Sequence, residues 1–544
     1  MNIESLRGDL FGGATAAIVA LPLALAFGVA SGAGALAGLY GAIFAGFLAA
    51  LLGGTRVQVT GPTGPMTVVM AAIVVQFSGN PAVAFAVVVL AGIFQVLIGL
   101  LGIGRYIKLA PQPVVSGFMS GIGLIIIIVQ LAPVLGSDNA SGPILVKLTQ
   151  LPAMASELNP GALAIAMATL AINLFMPRRI ARIVPAPLIA LLVGTLAVAA
   201  FAIDVPLIGE VPSGLPGLIH PNIAISDVPF LLEFALILAF LGAIDSLLTS
   251  LVADSITRSQ HNSNRELIGQ GVGNLVAGLF GGIPSAGATM RTLVNVRSGG
   301  NSRLSGAIHA LLLLVMMIGF GDVVSRIPLA VLAGILLKVG IDIVDWRVLK
   351  RVFSLPRADV VVMISTLLLT VLVDLMTAVA VGFVLASVLF VARAAETQTR
   401  NARFVFGADE VDDITPAEQN ILDSCNGRLV LFHVEGPLSF GSARDVSRIM
   451  LTEIDKDILA IDFSDVPFID SSAAAALDEV ILSLGADDDI VMLYGVRPQV
   501  LRTLEQTGTI AHLGEQRIFA TRIEALTAAR SLIEERQARV PVSD

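Results

Sequence analysis

A chain of 544 residues that is 55% hydrophobic and 14% charged, with a mean hydropathy of +0.87, has too little polar surface for a soluble globule and reads as a membrane protein. Its net charge of −9 comes with no basic tract to suggest nucleic acid, and the lone Cys425 excludes an internal disulfide or a cysteine metal cluster. One Trp and three Tyr beside 25 Phe leave little with which to stack a base or a sugar.

The opening stretch, MNIESLRGDLFGG, lacks a positive n-region and runs into apolar sequence without a small-residue cleavage site, so it reads as a first span. Apolar segments of spanning length then recur from about residue 9 to residue 394, roughly 12–14 of them. Clear ones lie near 81–102, 111–134, 160–177, 185–203, 228–253, 304–320 and 358–394, the last long enough for two short spans. Two segments differ. VQVTGPTGPMTVVMAAIVVQF and GGIPSAGATMRTLVNV each open with Gly, Pro, Ser and Thr before a short apolar stretch. Each reads as a half-helix that starts inside the bilayer, where irregular backbone is tolerated only beside a cavity or within protein.

Spacing links these segments. The first span starts near residue 9 and the span containing DSLLT near 228; the broken segments turn helical near Thr63 and near Ala288. Both offsets are about 220 residues, which suggests a duplicated unit with repeats at about 9–203 and 228–394, and paired interrupted helices point to a transporter site. Basic residues fall in alternate connections: Arg105 and Lys108; Arg178, Arg179 and Arg182; Arg258 and Arg265; Arg297 and Arg303; then Arg347, Lys350, Arg351 and Arg357. The intervening connections hold little beyond Lys147 and Arg326. The positive-inside rule therefore expects both termini in the cytoplasm and an even number of spans.

The character changes after VARAAETQTRNA. RLVLFHVEG, DILAIDFSD, DIVMLYGV and RIFATR read as strands, alternating with amphipathic helices in SARDVSRIMLTEI, SSAAAALDEVILSLG, RPQVLRTLEQTG and RIEALTAARSLIEER. The expected organisation is a transmembrane domain over 1–394, a linker at 395–402 and a small cytoplasmic α/β domain over 403–544.

The chemistry concentrates at the broken segments. A helix start presents unpaired N–H groups and the positive end of its dipole, so two starts at one depth form an anion site without a dedicated lysine. Thr63, Gly64, Gly287, Ala288 and Thr289 occupy those starts; the small residues admit an anion to the backbone and the threonines add hydroxyl donors. Asp245 and Thr249 share a helix face at i, i+4, and with unwound carbonyls they offer hard oxygen ligands for sodium or a site for a proton. A cation there would offset the cost of burying an anion, while the alternative is a structural ion pair between Asp245 and Arg291. Arg291 itself could attract the anion or neutralise the acid. His309, alone on an apolar helix, reads as a hydrogen-bonded packing residue; Lys338 and Asp374 read as span-end residues and Glu233 as solvated. GGTRVQVTGPTGP lacks the lysine of a nucleotide loop, and no nucleophile–base constellation suggests an enzyme.

RGDLFGGATAAIVALPLALAFGVASGAGALAGLYGAI, GPTGPMTVVM, LGAIDSLLTSLVADSITRSQHNSNRELIGQGVGN and GGIPSAGATMRTLVN resemble the sulfate permease (SulP) family of anion transporters, and within it the BicA-type sodium-dependent bicarbonate transporters of cyanobacteria. The carboxy-terminal part resembles a STAS domain (sulfate transporter and anti-sigma-factor antagonist). The resemblance implies a polytopic α-helical protein of fourteen segments in two inverted repeats of seven, with core and gate domains, an elevator-like movement and a homodimer in the inner membrane. It implies bicarbonate at Thr63, Gly64, Ala288 and Thr289, and sodium at Asp245, Thr249, Gly287 and Thr289. DFSDVPFIDSSAAAALDEV resembles the segment phosphorylated in anti-sigma-factor antagonists, with Ser472 the matching hydroxyl; the plainer reading is a helix N-cap at Asp470 or Ser471. The expected function is a sodium–bicarbonate symporter with no organic cofactor. Its rivals are a proton-coupled carrier of sulfate or a dicarboxylate, and an anion channel or sensor whose STAS domain signals.

Overall fold

The computed structural model describes residues 3–107, 111–137, 144–181, 184–209, 216–221, 223–319, 324–373, 375–401, 403–405, 414–452, 457–486 and 488–539. The chain divides into two compact units, Met1–Ala386 and Ser387–Asp544. The first half of the membrane unit contains α1 (Ile3–Ala30), α2 (Ala35–Leu52, with a π-helical turn at Gly41–Ala45), the two-residue strand β1 (Thr60–Gly61), α3 (Gly64–Gln76), α4 (Pro81–Leu100), α5 (Gln112–Leu135), α6 (Ile144–Ser156), α7 (Pro160–Phe175) and α8 (Ala186–Phe201). The second half contains α9 (Val228–Thr257), α10 (Ser263–Leu279), β2 (Ala286–Gly287), α11 (Thr289–Arg297), α12 (Arg303–Gly319), α13 (Leu329–Ile343), α14 (Arg357–Leu372) and α15 (Leu375–Asn401).

Among the described residues, six helices are long and apolar enough to cross a bilayer alone: Ser5–Ala30, Ala35–Leu52, Pro81–Leu100, Gln112–Leu135, Ile225–Thr257 and Thr377–Thr397. The remaining helices are shorter, and α6 and α7 meet at a bend of 119°. The stretch expected as a linker at 395–402 continues α15 as helix to Asn401, since ETQTRN contains no glycine or proline to stop it.

Lipid supplies no hydrophobic drive between helices, so close packing must hold them together. Glycines make it possible. A Cβ on Gly92 of α4 would lie 2.5 Å from the Gly271 carbonyl oxygen of α10, and one on Gly271 would meet Gly92 O at the same distance. The Gly123–Gly340 crossing of α5 and α13 is slightly wider, at 2.7 and 2.9 Å. Polar groups fix the ends. The buried Asp9 carboxylate accepts from Asn301 N and Ser302 N just before α12. Arg265 and Arg303 donate to the Leu52 and Gly53 carbonyls at the end of α2, where cations suit the helix dipole.

In the second unit, β3 (Arg403–Val405), β4 (Leu429–Glu435), β5 (Ile458–Asp465), β6 (Ile490–Tyr494) and β7 (Ile518–Phe519) form one sheet in that order. β3 is antiparallel to β4 and the other pairs are parallel. Helices α17 (Ala443–Thr452), α18 (Ser471–Ala486), α19 (Pro498–Thr507) and α20 (Thr509–Leu513) contribute to one apolar cluster; α16 (Pro416–Ser424) and α21 (Arg522–Arg539) contribute to another. The four expected strands and four expected helices are present; β3, α16 and the short α20 are additional. Asp470 caps α18, its Oδ1 accepting from Ala473 N at 2.8 Å, and the neighbouring Ser472 is exposed.

At the sheet's carboxyl end, Asp462 lies between the His433 ring and the Ser464 amide. Burial alone would raise its carboxyl, but hydrogen bonds from His433 and Ser464 outweigh burial and hold it down at about 2. Burial, then the nearby Asp462 carboxylate, pushes the Tyr494 phenol up.

Candidate functional site

The two interrupted segments meet. β1 and β2 pair antiparallel, Thr60 opposite Gly287 and Gly61 opposite Ala286, so the starts of α3 and α11, just beyond the strands, are tied together. Ala288 N donates to Val59 O at 2.9 Å, and Val59 N donates to the Thr292 hydroxyl at 3.0 Å, extending the link into α11. Proline explains the break on one side: Pro62 and Pro65 flank Thr63 and Gly64, and proline's missing N–H suits the first turn of a helix. Thr63 and Ala288 occupy the N-cap positions in extended conformation. Neither makes a side-chain capping bond, so first-turn amides of both helices lack an internal partner.

The long helix α9 passes this junction. Ser246 Oγ accepts from Gly287 N at 3.0 Å, and Thr249 Oγ1 donates to Gly287 O at 2.8 Å. Thr249 Oγ1 also lies 2.7 Å from Thr289 Oγ1. Three oxygens named from sequence, on Thr249, Gly287 and Thr289, thus converge at hydrogen-bond distance. The fourth group is Asp245, one turn earlier on α9, whose buried Oδ2 has no hydrogen-bond partner. The Thr63 hydroxyl is near that carboxylate yet is not aligned as a hydrogen bond, and is itself unpartnered. Such an orphaned acid beside preformed oxygens is what a small cation requires.

Arg291 does not neutralise Asp245. Its guanidinium is 1% exposed, its Nη2 donates to Pro62 O at 3.2 Å, and its Nη1 has no partner. It packs against the other broken segment, where a Cβ on Gly61 would collide with Nη1. His309 corrects the reading as a hydrogen-bonded residue: it is wholly buried, but neither ring nitrogen has a hydrogen-bond partner. Lys338 pairs with Asp342 one turn away, and Glu233 is exposed. Asp374 lies outside the described residues.

Glu266 had not been singled out from sequence. It is 1% exposed on α10, and its Oε2 accepts from Gly54 N and Thr55 N, each at 2.8 Å. Its Oε1 accepts from Gln58 Nε2 and Gln270 Nε2, also at 2.8 Å. Gln270 in turn donates to the Thr60 hydroxyl, and Ser250 of α9 donates to Gln58 Oε1. The acid therefore anchors the loop that leads into β1. The signal available in NRELIGQG was an acid four residues before a glutamine on one helix face.

Two interrupted helices at matched positions of two halves, tied by their extended stubs and served by an intramembrane acid, define a repeat-built membrane transporter rather than an enzyme. Comparison with known proteins gives the family. Residues 6–366 match the sulfate permease family and residues 420–525 match the STAS domain, and the chain belongs to the sulfate permease family. It is 44% identical over 542 residues to the bicarbonate transporter BicA of Picosynechococcus sp., covering 97% of this chain and 95% of that protein. The putative sulfate transporter YvdB of Bacillus subtilis is 31% identical, covering 95% and 97%. The solved transmembrane domain of a cyanobacterial bicarbonate transporter BicA has 48% identity and a TM-score of 0.66, covering 70% of this chain and 98% of that one. The murine solute carrier 26 family member A9 anion transporter, solved in an inward-facing state, shares the fold at 20% identity, with a TM-score of 0.86 over 98% of this chain and 92% of that one.

Proposed function

We propose that this protein carries bicarbonate together with sodium across a bacterial inner membrane. The observation that carries this reading is the convergence of Thr249 Oγ1, Gly287 O and Thr289 Oγ1, with the unpartnered Asp245 Oδ2 one turn before Thr249 on the same helix. Sodium held there would reorient the two hydroxyls, whose lone pairs then face the ion. Its charge would add to the partial positive charge of two helix starts, letting a bicarbonate settle against Thr63, Gly64, Ala288 and Thr289. Arg291, buried behind Gly61 and unpaired at Nη1, adds a fixed positive charge on the same side. Without the cation, Asp245 repels the anion; with it, the pair is near neutral and can cross a low-dielectric barrier.

In this reading residues 1–394 form the transport domain and 403–544 a cytoplasmic STAS domain, with both termini inside and a homodimer as the working unit. Movement is elevator-like, the site travelling as one body. The relatives named as bicarbonate transporters support this anion over sulfate, which the more distant YvdB is named for.

The experiment is uptake of labelled bicarbonate into proteoliposomes with and without an inward sodium gradient, with sulfate and dicarboxylates as competitors. Sodium-stimulated, saturable uptake with bicarbonate the preferred competitor is the expected result. Equal uptake under both conditions removes the coupling, and stronger competition by sulfate changes the cargo.

A further inference from the structure

A cavity of about 320 Å³ runs along α3 from Thr67 to Gln76, on the side of the helix away from its start. Its other walls come from the ends of α1, α5 and α14 and from the first turn of α6. Apart from Leu336 midway along α13, these walls come from the half of the helix remote from the basic connections: Ala30 closes α1, Gln130 is near the end of α5, and Thr370 is near the end of α14. The cavity therefore faces the side that the positive-inside rule makes external.

Its lining is apolar with few exceptions; of these Gln76, Gln130 and Lys147 have no hydrogen-bond partner among the described residues, and Gln76 is exposed. Lys147 on α6 lines the cavity and makes no hydrogen bond or ion pair among the described residues. It is also nearly the only basic residue in the connections of that side. Gln130 is 4% exposed, lines the same space, and its amide makes no hydrogen bond among the described residues. Lys147 is half-buried and Gln130 is a buried residue, so an ammonium and an amide without protein partners face one apolar cavity and are free to meet a polar solute there. Apolar walls also lengthen the reach of the lysine's field, since little water screens it.

The inner end of the cavity is closed by side chains. Ile126 lines the cavity and also abuts the start of α3: a Cβ on Gly64 would lie 2.8 Å from Ile126 Cδ1 and 2.6 Å from Ile343 Cδ1. Two isoleucine tips thus crowd Gly64 at the start of the half-helix, beside the cavity's inner end at Thr67.

We propose that this cavity is the outer vestibule of the anion path, in which Lys147 and Gln130 receive the anion and the Ile126 and Ile343 side chains crowd the half-helix start at Gly64. The proposal rests on the anion-transport reading above and adds an entry site to it.

Two measurements test it independently. In cells carrying the Cys425→Ser background, Gln130→Cys is exposed to a membrane-impermeant, negatively charged methanethiosulfonate added outside. Labelling is expected from outside, and slower by about ten-fold when Lys147→Glu is added, the size of a modest electrostatic steering effect. In uptake assays, Lys147→Met raises KM for external bicarbonate about five-fold with kcat little changed, Lys147→Glu raises it further, and Lys147→Arg restores it. A Gln130→Cys thiol that reacts in detergent but never from outside overturns the vestibule. Labelling and KM both indifferent to the charge at 147 overturn the role of the lysine. The labelling arm needs no transport, so a protein that proves not to carry bicarbonate leaves it readable, while normal sodium-coupled uptake by a Gln130→Cys variant whose thiol stays shielded refutes the vestibule alone.

Discussion

Glu266 and Asp245 lie on consecutive helices of one unit, and the protein treats them in opposite ways. Glu266 is enclosed by four donors, two backbone amides and two glutamine side chains, so both its oxygens are satisfied. Asp245 is left with an unpartnered oxygen next to hydroxyls that bond one another instead of it. A buried acid with every lone pair filled is a fastener, and rearranging around it costs much. An acid kept without a partner is, in the proposed reading, held for a cation that arrives.

The comparison breaks first at Glu266. Replacing it by alanine leaves Gly54 N, Thr55 N and two glutamine amides without an acceptor, and the loss should be about 3–5 kcal/mol, the scale seen when one partner of a buried charged network is removed. Detergent-solubilised protein should unfold at a clearly lower temperature; an unchanged melting curve would make Glu266 dispensable. Asp245→Asn should do the reverse, leaving the melting temperature unchanged or raised and abolishing sodium-stimulated uptake. A sodium-responsive Asn variant would return Asp245 to a structural role.

Gly287→Ala sits between these extremes. Its Cβ would collide with Gln58 Nε2, so the amide must yield; overpacking of this kind costs about 1–3 kcal/mol. Weakened β1–β2 pairing should lower both stability and uptake, and sodium affinity measured from uptake should fall with it. The smallest effect concerns the second unit. The Asp462 carboxyl titrates lower in the fold than its ordinary 3.8, so its ionised form adds stability above that value. That contribution drains away as pH falls from about 4 through about 2. Asp462→Asn should flatten this part of an acid-denaturation curve; an identical acid limb in both proteins would discount the His433 and Ser464 contacts.

Much of this was legible in the chain itself. The break at GPTGP and its counterpart at SAGAT follow from the chemistry of proline and glycine, which act locally and need no partner to be read. Asp245 and Thr249 share a face by helix geometry alone. What escaped was set by contacts across the chain. Glu266 meets groups more than two hundred positions away at Gly54, Thr55 and Gln58, and no periodicity announces such a bond. The two-residue strands β1 and β2 are too short for an alternating pattern. His309 misled because a lone histidine on an apolar helix is expected to find an acceptor, and this one has none. The STAS-like part was read with least trouble because its strands are continuous apolar runs buried on both faces, as β6 is throughout.

The rung between Thr60 and Gly287 has one more implication. A pair of jaws riveted together at the back cannot open to drop what it holds. Cargo gripped by both half-helices must then leave through a change of exposure or of charge, with the grip itself unaltered. For the proposed symport that asks for a rigid carriage, with loss of the accompanying cation as the trigger for unloading.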